Sequence, residues 1–192
     1  MDFLFIVGCG HSGTTVIRDL FNAVTGTHVI PNESRLFEFP RYSFEVKRVL
    51  RQWEAAARAD GASLIVEKTP QQVFHLQRIW QWLPNAKILG VVRDPRDVVA
   101  SMLGRGRTVD AAVSRWCRAG EILKRVASDG RCRIMRYEDL VADPQQLMSE
   151  LASFVGSEVH EALPQVRTRV EALAASGLES EPVRADHDNF RE

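Results

Sequence analysis

The stretch Phe3-Leu4-Phe5-Ile6-Val7-Gly8-Cys9-Gly10-His11-Ser12-Gly13-Thr14-Thr15 decides the fold. Five consecutive apolar residues read as a strand buried on both faces, and Val16, Ile17, Leu20 and Phe21, with Val24 following, have the spacing of an amphipathic helix. Between them lies Gly8-x-x-x-x-Gly13. Glycines let the backbone approach a ligand closely, and a helix N-terminus presents free N–H groups to an anion. Ser12, Thr14 and Thr15 add hydroxyl donors. This strand, loop and helix read as a phosphate cradle; the alternative is a plain strand-to-helix turn.

Outward from the loop, strand and helix patterns alternate. His28-Val29-Ile30 is a short extended piece before Pro31-Asn32-Glu33-Ser34, and the mixed segment from Leu36 to about Ala59 is expected to be helical after Pro40. Ser63 to Val66 reads as the next strand. Pro70 then suits a first helical turn, with Val73, Leu76, Ile79 and Trp80 on one face. Lys87 to Val92 is a further apolar strand, Pro95 opens a helix with Val98, Val99 and Met102, and another helix runs from about Val109 to Val126. Cys132 to Met135 is a last strand, followed by a helix bearing Leu147, Leu151, Phe154 and Val155. Apolar strands separated by helices imply a parallel sheet covered on both faces, which binds ligands at the carboxyl ends of its strands. The unusual polar clusters all follow strands: residues 8–15, Lys68-Thr69 and Arg93-Asp94.

Composition narrows the class. The 192 residues fit one domain, expected over 1–175, with a polar tail or lid over 176–192. Twenty-five basic and 25 acidic side chains give a net charge of +0. That argues against a coat for nucleic acid or for an acidic membrane and leaves room for a local basic pocket. Cys9, Cys117 and Cys132 form no C-x-x-C pair and are expected to be buried free thiols of a cytoplasmic protein. Phe3–Val7 lacks a basic leader and is too short to span a membrane. His28, His75, His160 and His187 lack metal-ligand spacing, and no G-x-S-x-G is present. Trp80, Trp82 and Trp116, at helical positions, read as core.

Four blocks resemble the sulfotransferase family that uses 3′-phosphoadenosine 5′-phosphosulfate (PAPS). They are Gly8 to Thr15, Glu67-Lys68-Thr69-Pro70, Val91-Val92-Arg93-Asp94-Pro95-Arg96-Asp97 and Arg136-Tyr137-Glu138-Asp139-Leu140, in the family's order across residues 3 to about 156. The resemblance implies a three-layer, P-loop NTPase-like α/β fold with a central parallel sheet. It also implies transfer of a sulfuryl group to a hydroxyl or amine acceptor, leaving adenosine 3′,5′-bisphosphate (PAP). ATP-binding loops continue Gly-Lys-Ser/Thr, with the lysine on the β- and γ-phosphates. Here Thr14-Thr15 follows Gly13, and a 5′-phosphosulfate, less negative than a triphosphate, suits a loop without that lysine.

The resemblance also implies site residues. Gly10, His11, Ser12, Gly13, Thr14 and Thr15 would hold the 5′-phosphosulfate. Arg93 and Ser101 match the 3′-phosphate pair, although Arg93, Asp94, Arg96 and Asp97 also read as a charge cluster capping a helix. Glu33 resembles the proposed base of a Glu-x-Arg element, with Arg35 beside it to hold the acceptor or steady Glu33; a helix-start carboxylate is the plainer reading. Lys68 resembles a lysine near the transferring group, against a solvated lysine before a helix. His11 replaces the usual lysine or arginine, so it either keeps the catalytic role as an imidazolium or donates one hydrogen bond. Tyr137 resembles a tyrosine near the nucleotide or is a buried strand-end residue. The expected partners are the nucleotide and a small-molecule acceptor, with neither nucleic acid nor membrane. A P-loop small-molecule kinase and a non-catalytic nucleotide-binding module are the rivals. Tight ADP binding with Mg²⁺ would mark the first, and nucleotide binding without transfer the second.

Overall fold

The structure, a computed structural model, describes residues 1–22 and 24–156; segment 176–192, expected as a tail or lid, lies outside the described residues. Strand β1 (Asp2–Gly8) leads through the glycine loop into α1 (Thr14–Phe21), then β2 (Thr27–Val29), α2 (Ser43–Ala59) and β3 (Leu64–Lys68). A 3₁₀ helix (Pro70–His75) precedes α3 (Leu76–Trp82) and β4 (Lys87–Val92). The chain continues through α4 (Pro95–Leu103), α5 (Val109–Val126), β5 (Cys132–Arg136), α6 (Tyr137–Ala142) and α7 (Pro144–Val155).

The strands pair in the order β2-β3-β1-β4-β5, and every pairing is parallel. Side chains alternate across the sheet with period two, so β1 feeds two cores. Phe3, Phe5 and Val7 join Val46, Leu50, Ile79, Val98, Met102, Ala112 and Ala119 on one face, from α2, α3, α4 and α5. Leu4 and Ile6 join Ile17, Leu20, Phe21, Leu140, Met148 and Leu151 on the other, from α1, α6 and α7. The result is a three-layer α/β sandwich with β1 at its centre, as the both-face apolar strands imply. Parallel pairing brings the carboxyl ends of β3, β1 and β4 to one edge, where the polar clusters gather. Among the described residues no helix is long and apolar enough to cross a membrane.

Several boundaries differ from the sequence expectation. β3 runs on through Glu67 and Lys68 rather than ending at Val66, so both charged side chains belong to the strand. The helix after Pro40 starts only at Ser43, and the first turns after Pro70 are 3₁₀ rather than α. Tyr137 opens helix α6 instead of closing a strand. Cys9 and Cys132 are buried, and burial raises both thiols to about 11, whereas Cys117 is exposed on α5.

Candidate functional site

The loop after β1 is shaped by close approach. A Cβ on Gly8 would stand 2.5 Å from the Val91 carbonyl oxygen, so only glycine lets β1 leave so near β4. His11 (φ 72°) and Gly13 (φ 85°) both adopt the left-handed conformation, turning successive N–H groups toward one side as in an anion nest. Gly13 caps α1, and no side chain bonds the free N–H groups there. Ser12 is 0% exposed, and its Oγ has no hydrogen-bond partner among the described residues. Thr14 is buried and Thr15 exposed at the first turn. A Cβ added at Gly10 would meet nothing within 4 Å among the described residues, which leaves room for a ligand on that side of the loop.

The second anion group lies at the adjoining strand end. The Arg93 guanidinium stacks 4.8 Å from the Tyr137 ring centroid, and the same ring presses on Gly13. Tyr137 therefore bridges the loop and Arg93; burial raises its phenol pKa, opposed by the Arg93 charge. His11 Nδ1 lies 3.0 Å from Ser101 Oγ, a second tie between the loop and α4. Arg93 Nη2 touches Asp97 at 3.3 Å, and its buried Nε has no partner among the described residues. Trp116 Nε1 donates to the Arg93 carbonyl at 3.0 Å, and Asp94 N donates to Glu138 Oε1 at 2.7 Å, so the β4–α4 turn is pinned from α5 and α6. Asp94 caps α4 and takes Arg96 bidentately.

A third group sits across β1. Lys68 Nζ donates to Glu33 Oε1 at 2.6 Å. The lysine side chain is 6% exposed and the glutamate 43% exposed, so the ammonium is sunk at the sheet edge under an open carboxylate. Arg35 does not steady Glu33; it pairs with Glu38 at 2.9 Å.

The structure thus joins His11, Gly13, Arg93, Ser101 and Tyr137 through direct contacts. Ser12, Thr14 and Thr15 belong to the same loop, and Glu33–Lys68 is a separate pair on the neighbouring strand. Sequence reasoning missed three cations. Burial, then the charges of Arg105, Arg115 and Arg107, lowers the His11 pKa from 6.5, so at neutral pH this ring is an uncharged hydrogen-bonding group. The signal available was Gly104-Arg105-Gly106-Arg107, a basic pair among glycines directly after α4.

A nucleotide with phosphates on both sides of its ribose fits this donor set: free N–H groups and the orphaned Ser12 hydroxyl at one end, the orphaned Arg93 nitrogen at the other. Among the described residues no cluster of three or more His, Cys, Asp or Glu side chains is placed to hold a metal ion.

Known proteins share the sequence family and the fold. A Drosophila melanogaster protein-tyrosine sulfotransferase is 26% identical over 191 residues, covering 81% of this chain and 38% of its own length. Protein-tyrosine sulfotransferase 1 of Danio rerio is 25% identical over 196 residues, covering 85% and 55%. The chain spans only 38–55% of the curated relatives it matches. Among solved structures, the sulfotransferase domain of a Synechococcus olefin synthase superposes with a TM-score of 0.68 at 20% identity, covering 85% of this chain and 76% of that one. A mouse sulfotransferase complexed with PAP gives 0.66 at 15% identity, covering 95% and 67%. These structural likenesses establish the fold. The model of the sulfotransferase family matches residues 41–161, more than half of the sequence, and the chain belongs to that family.

Proposed function

We propose that this protein transfers a sulfuryl group from PAPS to a hydroxyl or amine acceptor. One observation supports the reading: Tyr137 touches Gly13 and Arg93 at once, which sets the glycine loop and the Arg93 guanidinium side by side at one edge of the sheet. Bound there, the nucleotide supplies an activated sulfuryl group on its 5′-phosphate. Gly10 to Thr15 hold the 5′ end by backbone N–H groups and hydroxyls, while Arg93 and Ser101 hold the 3′-phosphate. Lys68, the buried member of its pair, donates to oxygen where negative charge develops. Glu33, on the open side, takes the acceptor's proton once an acceptor displaces it from Lys68. His11 donates or accepts one hydrogen bond at the loop. The sequence favours a small-molecule acceptor; the names of the relatives add a second reading, the tyrosyl hydroxyl of a protein. A tyrosine-containing peptide and a small phenol assayed side by side with PAPS separate the two.

The deciding experiment is calorimetry with PAP. Arg93→Ala is expected to weaken PAP binding about 10–100-fold, the value of a charged hydrogen bond, while leaving adenosine 5′-phosphate affinity unchanged. Equal PAP affinities in wild type and variant would remove the 3′-site. Preference for ADP with Mg²⁺ over PAP would favour the kinase.

The same titration has a pH signature. In the free protein the His11 pKa lies below 6.5, held there by burial and three arginines. Anionic groups placed beside the ring raise it, so the complex binds a proton more tightly than the free protein. PAP affinity should therefore rise as pH falls through the raised value of the complex, with net proton uptake between that value and the lower one of the free protein. Calorimetry in two buffers of different ionisation enthalpy reads this uptake directly. His11→Gln is expected to abolish it; uptake that persists in this variant would place the proton elsewhere.

A further inference from the structure

The backbone ladder between β2 and β3 ends early. Val29 pairs with Val66, Ile30 N donates to Val66 O at 2.8 Å, and the two strands then part. Two side-chain rungs continue the contact between consecutive residues on each side. Glu33 meets Lys68, and Ser34 meets Glu67. Glu67 is 0% exposed, and all of its bonds fall on one oxygen. Its Oε1 accepts from Ser34 N at 3.1 Å, Ser34 Oγ at 2.8 Å and Thr69 Oγ1 at 2.5 Å, while Oε2 has no partner among the described residues. Burial raises this carboxyl to about 6 against the pull of those donors. The network reaches further: Arg35 N donates to Thr69 Oγ1 at 3.4 Å, Leu36 N to Ser34 Oγ at 3.2 Å and Gln72 Nε2 to Ser34 Oγ at 3.4 Å. Arg35 itself has φ 51°, a conformation that persists only where its surroundings enforce it.

We infer that Glu67 is a positioning residue, a buried carboxylate that clamps the Ser34–Arg35 turn to the end of β3 and thereby seats Glu33 on Lys68. Pro31, Asn32 and Glu33 are exposed, and Glu33 adjoins the clamped serine directly. Each residue of a segment left free regains about 1–2 kcal/mol of backbone entropy, comparable with or larger than the value of one half-exposed ion pair. Lys68 alone therefore cannot hold this segment; the Glu67 rung fixes it. The inference rests on the functional reading for its meaning, since a seated Glu33 matters because it is the proposed base.

The test needs neither nucleotide nor acceptor. Brief acetic anhydride labelling, quantified by mass spectrometry, reports how well Glu33 covers the Lys68 amine. Lys87, bonded to the Phe154 and Val155 carbonyls at 2.7 and 3.1 Å, serves as internal control for general opening. Glu67→Ala is expected to raise Lys68 labelling about threefold, the value of a freed ion pair, with Lys87 unchanged. Glu33→Gln should give the same rise, and the double variant no more than Glu33→Gln alone. Glu67→Gln keeps an accepting Oε1 and should restore protection. Should Glu67→Ala not fold, Ser34→Ala, at a half-buried site, removes the hydroxyl donor of the rung while leaving the Ser34 N–H, and should raise labelling in the same sense to a smaller extent. Unchanged Lys68 labelling in the folded variant, or a rise shared with Lys87, overturns the clamp. Failure of wild type to bind PAP would overturn the functional reading instead and leave the labelling result standing.

Discussion

Replacing Lys68 by alanine is expected to lower kcat about 10²–10³-fold with a much smaller loss of PAP affinity. The asymmetry follows from where the amine lies. Its Nζ sits 2.6 Å from Glu33 Oε1, with the lysine side chain only 6% exposed, at the strand end beside the one that opens into the glycine loop. A buried cation there gains most when charge develops on a nearby oxygen and little before that, so its loss shows in kcat rather than in binding. The fold should tolerate the change, because Glu33, 43% exposed, is solvated once its partner is gone. Single-turnover transfer with saturating PAPS, beside a melting curve, separates the two effects. Lys68→Arg is not expected to rescue, since a planar fork cannot reproduce a point charge in a buried slot. A kcat loss below about tenfold would remove Lys68 from the reaction and leave it a structural partner of Glu33.

The parts of this site legible in the sequence are those written in local pattern. β4 is found over Lys87–Val92 because its residues are apolar on both faces, and the loop is found because glycines stand between a buried strand and an amphipathic helix. Contacts between distant residues were not legible. His11 and Ser101 could each be named, yet nothing in a pattern of neighbours says that residues 90 positions apart share a hydrogen bond. β3 was cut short for a related reason. Two charges in a row end a hydrophobic signal, but Glu67 is satisfied by Ser34 and Thr69, and Lys68 by Glu33, so the strand runs on through them. Helix α6, six residues long, is too short to show a period. Arg105 and Arg107 lie more than 90 positions from His11 in the chain, and only the fold brings their field to bear on it.

Gly13→Ala should do the greatest damage of any single methyl group in this chain. Two costs coincide at this position. The backbone sits at φ 85°, where an L side chain costs about 1–2 kcal/mol. The new Cβ would also fall 2.2 Å from Tyr137 Cδ2 and 2.4 Å from Cε2, deep inside contact distance. Overpacking of this kind adds about 1–3 kcal/mol, so a total destabilisation near 3 kcal/mol is expected in urea denaturation. The ring cannot yield cheaply. Tyr137 is buried and carries the Arg93 guanidinium on its face, so pushing it aside also moves the proposed 3′-phosphate residue and should weaken PAP binding at least as much as Arg93→Ala does. The double variant Gly13→Ala with Tyr137→Ala separates these costs. Removing the ring relieves the overlap but not the left-handed backbone, so stability should recover only in part. PAP binding should stay weakened about 10–100-fold, as in Arg93→Ala, because the guanidinium then keeps Asp97 but loses the ring that sets it beside the loop. A double variant that binds PAP as wild type does would show that the cradles are aligned without the tyrosine, and that its stacking on Arg93 is packing alone.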